Sequence, residues 1–355
     1  MDAAAGGALR IGGVSVASRA FLAPMAGITD LPFRRLAARC GAGLVVSEMV
    51  AGDSLSLGNR ESLIRAMAGD VEPHVVQLAG CTAEAMAEGA RLAEAGGAAI
   101  VDINMGCPAK RVVGGWSGSA LMRDPDHALK LIAAVVGAVT VPVTVKMRLG
   151  WDETQINAPE IARRAEAAGV AMITVHGRTR RQFYKGRADW AAIRAVREAV
   201  SVPLVANGDL MDVRDVDAML AASGADAVMI GRGAYGRPWF PGQVAHYLAT
   251  GAVLPEPDAA ARFALLCEQY DAMLSHHGVR IGVRMARKHI SWMLDAFENG
   301  TCAPDAPGNE QAALGSADPR LRALRARILK SEDAGEVMGL VADWFGAAGE
   351  TRMAA

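Results

Sequence analysis

A chain of 355 residues with 52% hydrophobic and 21% charged residues has the make-up of a folded globular enzyme rather than of a disordered or fibrous protein. That length holds one α/β domain of about 250 residues and a smaller second one. A formal net charge of −1 excludes a uniformly basic nucleic-acid coat, so any polyanion site has to be local. The five cysteines (40, 81, 107, 267 and 302) form no C-x-x-C pair and leave one over, which excludes a zinc site or a disulfide framework and fits a reducing cytoplasm.

The first residues, MDAAAGGALRIGG, lack the apolar core of a secretory signal. LRIGGVSVAS reads as a short hairpin able to plug the N-terminal end of a barrel. Eight short β-branched or apolar runs follow, each trailed by a glycine or polar corner and an amphipathic Ala/Arg/Glu-rich stretch of helical period. They are FLAPM (21–25), LVVSEMV (44–50), HVVQLAG (74–80), AAIVDINM (98–105), VPVTVKMRL (141–149), AMITVHG (171–177), VPLVANGD (202–209) and DAVMIGRG (226–233). Asp30 is placed to cap the first helix, with Pro32 in its first turn and Gly41 at its stop. Leu131–Val145 is apolar but is broken by Pro142, so it reads as a helix end and a buried strand, not a membrane span. Eight units with strands buried on both faces predict an α/β fold, a closed (β/α)8 TIM barrel over residues 1–250 including the hairpin.

After TGAVLPEPDAA the strand signal ends, and residues 257–348 read as a small all-helical domain. Arg280, Arg284, Arg287 and Lys288 fall on one helical face, with Ile281, Met285 and Trp292 expected on another. The stretch 298–319 is rich in Gly, Ala and Pro, and RLRALRARILK then resumes a helix capped by Asp318 with Pro319 in its first turn.

Active sites of such barrels form at the C-terminal ends of the strands. Gln77 falls in the third run, Asn104 and Cys107 at the end of the fourth, Lys146 in the fifth and His176 in the sixth. Asn207, Gly208 and Asp209 end the seventh, and Gly231, Arg232 and Gly233 the eighth. The last two loops are where this fold commonly holds phosphate. Asp209 would repel that anion and suits loop ordering instead. Lys146 is either a lysine reaching past the rim, a cation placed against developing negative charge, or a Schiff-base amine. His176 is either a satisfied core histidine or a donor to a bound carbonyl. Arg178, Arg180, Arg181, Lys185 and Arg187, interleaved with Phe183 and Tyr184, suit a polyanion with stackable bases. Cys107 is either a small buried hydrophobe or a thiol aimed at the barrel mouth by Gly106 and Pro108. A thiol of pKa about 8.5 is protonated at neutral pH and can act as a general acid.

APMAGITD (23–30), VQLAG (76–80), DINMGCPAKRV (102–112), VKMRLGW (145–151), VHGRTR (175–180), ANGD (206–209), IGRGA (230–234) and RMARKHISW (284–292) together resemble the flavin-dependent tRNA-dihydrouridine synthases, most of all the bacterial branch once labelled nitrogen-regulation proteins. The resemblance implies bound FMN, NADPH as reductant and reduction of the C5–C6 double bond of a D-loop uridine in tRNA. Hydride would pass from flavin N5 to C6 and a proton from Cys107 to C5. It further implies that Pro24, Met25 and Ala26 line the flavin, that Gln77 bonds its pyrimidine edge and Lys146 faces its N1/C2 carbonyl side, and that His176 contacts flavin or uracil. Asn207, Gly208, Asp209, Gly231 and Arg232 would surround the ribityl phosphate. The uracil has to be extruded into the pocket, with Asn104 and Arg178 holding it. Lys110, Arg284, Arg287 and Lys288 would contact the tRNA backbone. The chain departs from the family in the length of its 298–319 segment.

Two other functions use the same barrel: a small-molecule ene or dihydroorotate-type reductase, which needs no basic tail, and an RNA-binding regulator without catalysis, which needs neither Cys107 nor Lys146. No metal and no membrane are expected, and a monomer is the default.

Overall fold

The computed structural model describes residues 8–300 and 318–354, with side chains as far as residue 349, so most of the 298–319 segment and Cys302 lie outside the described residues. Strands β1 (Leu9–Ile11) and β2 (Val14–Val16) form an antiparallel hairpin. The parallel strands follow as β3 (Ala20–Leu22), β4 (Leu44–Val45), β5 (Val50–Ala51), β6 (Val75–Ala79), β7 (Ile100–Met105), β8 (Val143–Arg148), β9 (Met172–His176), β10 (Leu204–Asn207) and β11 (Ala227–Ile230). Their order in the sheet is β4-β3-β11-β10-β9-β8-β7-β6-β5. A parallel bridge between Val46 and Val75 joins the two ends into a barrel.

The second predicted strand, 44–50, is broken in two. β4 pairs with β3, β5 pairs with β6, and Ser47–Met49 leave the ladder between them. Side-chain bonds justify the break. Ser47 Oγ accepts from Gln77 N at 2.9 Å, and Glu48 turns out to accept from Gly27 N.

Alternation along each strand sorts residues by face. Val101, Ile103, Val143, Val145, Ile173, Val175, Leu204 and Ala206 point outward into the helix-packed core. Phe21, Val75, Ile100, Met172, Val205 and Ala227 fill the lower interior together with Ile11 and Val16 of the hairpin, which therefore plugs the barrel as its sequence suggested. Above that apolar floor the inward positions become polar: Gln77, Asp102, Asn104, Thr144, Lys146, His176 and Asn207.

The helix Leu31–Arg39 starts where expected, with Asp30 accepting from Phe33 N at 3.0 Å. Beyond the barrel, the helices Ala259–His277, Val279–Asn299, Pro319–Ile328 and Ala334–Ala354 surround their own core of Leu266, Tyr270, Met293, Phe297, Val341 and Trp344. Asp318 caps the third of these, accepting from Arg320 N. Ile281, expected on a face other than that of the basic stripe, is 52% exposed. Among the described residues no helix is long and apolar enough to cross a membrane.

Candidate active site

A cavity of ≈ 530 Å³ opens at the C-terminal end of the strands. Of the residues singled out in the sequence, Pro24, Met25, Ala26, Asn104, Cys107, Lys146, His176, Arg178, Asn207, Gly208, Asp209, Gly231 and Arg232 line it. β3 ends at Leu22, so Pro24-Met25-Ala26 is free to form part of the wall. Gln77 does not line the cavity. It is buried beneath, its amide donating to Asp102 and accepting from Asn104, both at 2.7 Å.

Cys107 sits on the loop between β7 and the short Lys110–Gly114 helix. Its N–H donates to Asn104 Oδ1 at 2.9 Å, and its carbonyl accepts from Ser119 N and Oγ. Burial pushes the thiol pKa up, despite the nearby Ala109 N–H, Arg148 and Lys146, so the group keeps its proton at neutral pH. Lys146 Nζ donates to Asn207 Oδ1 at 2.9 Å, and Asn207 is turned the right way because its Nδ2 donates to Met229 O at 2.7 Å. Burial and the neighbouring Arg148 bring the Lys146 pKa down to about 8, which still leaves a cation at pH 7.

His176 is buried and surrounded by Arg148, Lys146, Arg178 and Arg232, and burial first, then these charges, hold its pKa well below the usual value. It is a neutral imidazole. Arg178 Nη1 lies 3.2 Å from Nε2 and can only donate, so Nε2 accepts and the ring proton is on Nδ1.

Arg178 is fully buried. It pairs with Asp209 through two contacts (3.0 and 2.5 Å) and donates to the carbonyls of Lys185 and Gly186. Its guanidinium therefore shapes the loop after β9. Arg180 is likewise spent, lying over the rings of Trp151 and Phe183. Arg181, Lys185 and Arg187 of the same cluster remain exposed. Asp209, at φ +54°, also accepts from Ala188 N and Arg232 Nη2. Burial alone would raise its carboxyl, but Arg178, Ala188 and Arg232 together bring it below the ordinary value. Its bonds tie the loop after β10 to Arg178, Ala188 and Arg232. Arg232 Nη1 is buried beside the cavity with no hydrogen-bond partner among the described residues.

The tail cations split. Arg284 is exposed, whereas Arg287 Nη2 donates to Ser331 O at 3.0 Å and Lys288 Nζ donates to Gly27 O. The expected basic stripe thus turns inward along the helix, because its C-terminal part packs on the barrel and on the 329–333 turn. Lys110 is exposed outside the cavity.

Arg148 was not singled out in the sequence. It donates from Nε to Gly106 O and from Nη1 to Thr179 O and Phe183 O, all at 2.8 Å, and so ties the cysteine loop to the loop after β9. The signal was available: Thr144, Lys146 and Arg148 alternate along one strand face. Trp292, stacked on Tyr235 at 4.1 Å, brings the tail into the cavity wall, and no local pattern announces that.

Against known proteins, the chain matches the dihydrouridine synthase family over residues 21–308. It is 56% identical over 327 residues to a Rhizobium leguminosarum protein named "Probable tRNA-dihydrouridine synthase", covering 92% of this chain and 99% of that one. The chain belongs to the dihydrouridine synthase family. It is also 58% identical to a synthase of the same printed name from Rhodobacter capsulatus (78% and 86% covered), and 50% identical to the "tRNA-dihydrouridine synthase B" of Xanthomonas campestris (80% and 86% covered). Among solved structures, the old yellow enzyme homologue from Zymomonas mobilis aligns with a TM-score of 0.52 at 16% identity, over 72% of this chain and 95% of that one. An amine oxidase from Pseudomonas geniculata aligns with a TM-score of 0.53 at 14% identity, this chain spanning 49% of its length. At such identities the likeness is one of fold, the parallel barrel that the synthase shares with these proteins.

Proposed function

We propose that this synthase is an FMN-dependent, NADPH-driven enzyme that reduces the C5–C6 double bond of a D-loop uridine in tRNA. The observation that carries the reading is the meeting, in one cavity, of a protonated thiol, a buried cation and an unpartnered arginine donor. The donor set fits a flavin. Arg232 Nη1 and the Gly208 and Gly231 loops suit its phosphate, Lys146 its electron-rich N1/C2 carbonyl edge, neutral His176 a contact to the ring or the uracil, and Pro24, Met25 and Ala26 a flat apolar face. Bound there in its reduced form, FMN supplies hydride.

The protein's own part is the proton and its placement. Cys107 gives its proton to uracil C5, and its raised pKa keeps that proton available at neutral pH. Lys146, held by Asn207, keeps positive charge beside the ring where electron density accumulates. Arg148 and Asn104 keep the cysteine loop in place from two sides. A uracil of folded tRNA reaches this depth only when flipped out of its stack. The exposed Arg181, Lys185 and Arg187 at the rim, with Lys110 and Arg284, supply phosphate contacts, while Arg178, Arg287 and Lys288 act by holding the surfaces that carry them. Cytoplasmic tRNA is the partner.

The test is Cys107→Ala on protein purified with its flavin. Dihydrouridine formation in tRNA should fall by about 10²–10⁴-fold, the usual contribution of a general acid, while flavin absorbance and NADPH oxidation by dioxygen persist. Unchanged product formation sinks the acid assignment. Colourless protein that gains no flavin on reconstitution sinks the whole reading.

A further inference from the structure

Beneath the cavity floor runs a chain of buried polar side chains headed by Asp102, which is 4% exposed and does not line the cavity. Thr144 Oγ1 donates to Asp102 Oδ1 at 2.5 Å, and Gln77 Nε2 donates to Oδ2 at 2.7 Å. Gln77 Oε1 accepts from Asn104 Nδ2 at 2.7 Å. Asn104 Oδ1 in turn accepts from Gly106 N at 3.1 Å and Cys107 N at 2.9 Å.

The two ends of this chain are chemically unambiguous. A carboxylate only accepts, and a backbone N–H only donates. Two side-chain amides lie between, and each can turn over end for end. One setting of both satisfies both ends: every amide nitrogen toward Asp102 and every amide oxygen toward the cysteine loop. The opposite setting places amide hydrogens against the N–H groups of Gly106 and Cys107 and leaves these half-buried donors unpaired, an expensive arrangement.

We propose that Asp102 is a positioning residue for Cys107, acting through the side-chain amides of Gln77 and Asn104. Its negative charge makes one polarity of the amide chain compulsory, and that polarity holds the Gly106-Cys107 backbone. Arg148 on Gly106 O and Ser119 on Cys107 O restrain the other side of the same loop. The three holds together aim the thiol. The consequence for turnover rests on the acid role of Cys107 proposed above, but the placement of the thiol does not.

Asp102→Asn tests this, since an amide of the same size can donate as well as accept and so lifts the constraint. Thr144→Val, assayed with the others at pH 8 so that Asp102 stays ionised although it has lost a bond that lowers its pKa, is the control, because it removes the other bond to the same carboxylate and leaves the amide chain alone. Both variants are alkylated with iodoacetamide as purified, and modification of the Cys107 peptide is followed by mass spectrometry. We expect Asp102→Asn to loosen the loop and speed Cys107 alkylation at least threefold, with single-turnover reduction of tRNA at least tenfold slower and KM unchanged. Thr144→Val should stay within twofold of the unaltered protein in both.

A second measurement follows the pH dependence of the same alkylation in the unaltered protein and in Asp102→Asn. Burial pushes the Asp102 pKa up to about 6 against the lowering influence of Thr144, Gln77 and Lys146. Once protonated, residue 102 can donate, so Cys107 alkylation in the unaltered protein should depart from its simple pH dependence near that value. Alkylation of Asp102→Asn within twofold of the unaltered protein, or identical changes in Thr144→Val and Asp102→Asn, overturns the proposal; so does a break in the pH dependence of alkylation that is the same in Asp102→Asn as in the unaltered protein. Faster alkylation in Asp102→Asn with no activity on tRNA in any form upholds the positioning role and refutes the reading of the enzyme.

Discussion

Replacing Asp209 with Asn removes the one carboxylate, among the described residues, from a cavity wall that also carries Lys146, Arg148, Arg178 and Arg232. Arg178 has none of its side chain exposed and Asp209 only 13%, so the pair is screened little by solvent. Breaking a buried pair from one side typically costs about 3–5 kcal/mol. Here Arg178 keeps the carbonyls of Lys185 and Gly186 and the Nε2 of His176, and the new amide still offers one acceptor oxygen. The expected loss is therefore nearer about 2–4 kcal/mol. For a barrel of about 250 residues that is a drop in melting temperature of roughly 4–8 °C. Differential scanning calorimetry at pH 7 measures it. The pH sign is fixed by the depressed carboxyl of Asp209. Its contribution is complete above the unfolded value of about 3.9 and is lost as pH falls through the lower folded value, so the two proteins should converge only in strong acid. Sulfate at constant ionic strength should restore more stability to the variant than to the unaltered protein, because the cavity then carries one more uncompensated cation. A variant melting within about 1 °C of the unaltered protein at pH 7 would refute the reasoning that Asp209 holds the arginines in place.

Lys146 loses its charge as pH rises through about 8, so single-turnover reduction should decline above that value, and Lys146→Met should be slow and flat there; an alkaline limb that survives in Lys146→Met assigns it to another group. The two kinds of tail cation separate cleanly. Arg284→Glu should weaken tRNA binding and lower the slope of log K against log salt by about 1, without changing the melting temperature. Lys288→Met, which loses its hold on Gly27 O, should lower the melting temperature and leave that slope alone; the reverse pattern would show that the two roles have been exchanged.

Much of the barrel is legible in the sequence because its signals are local. Eight apolar runs separated by amphipathic helices, with Asp30 and Asp318 at helix starts, specify the units one by one. Even the polar interior is written in alternation, as Asp102 and Asn104 or Thr144, Lys146 and Arg148 share one strand face. The break in the second strand was not legible, since LVVSEMV is uniformly strand-like. It arises from bonds that Ser47 and Glu48 make to Gln77 and Gly27, residues distant in the chain.

The parallel barrel, its plug, its helical tail and most of the residues at the mouth follow from local sequence, because strand period and corner residues act over a few positions; Gln77, which lies beneath the cavity, and Arg148 and Trp292, which join its wall, do not. Only the tertiary structure decided what each cation does. Arg178, Arg180, Arg287 and Lys288 look alike on paper to Arg181 and Arg284, but the first four are consumed by a carboxylate, aromatic rings or backbone carbonyls brought to them by folding. The same is true of Cys107. Its place at a strand end is local, whereas the restraint that aims its thiol passes through Asn104, Gln77 and Asp102 on two adjacent strands, a coupling set by the register of β6 against β7.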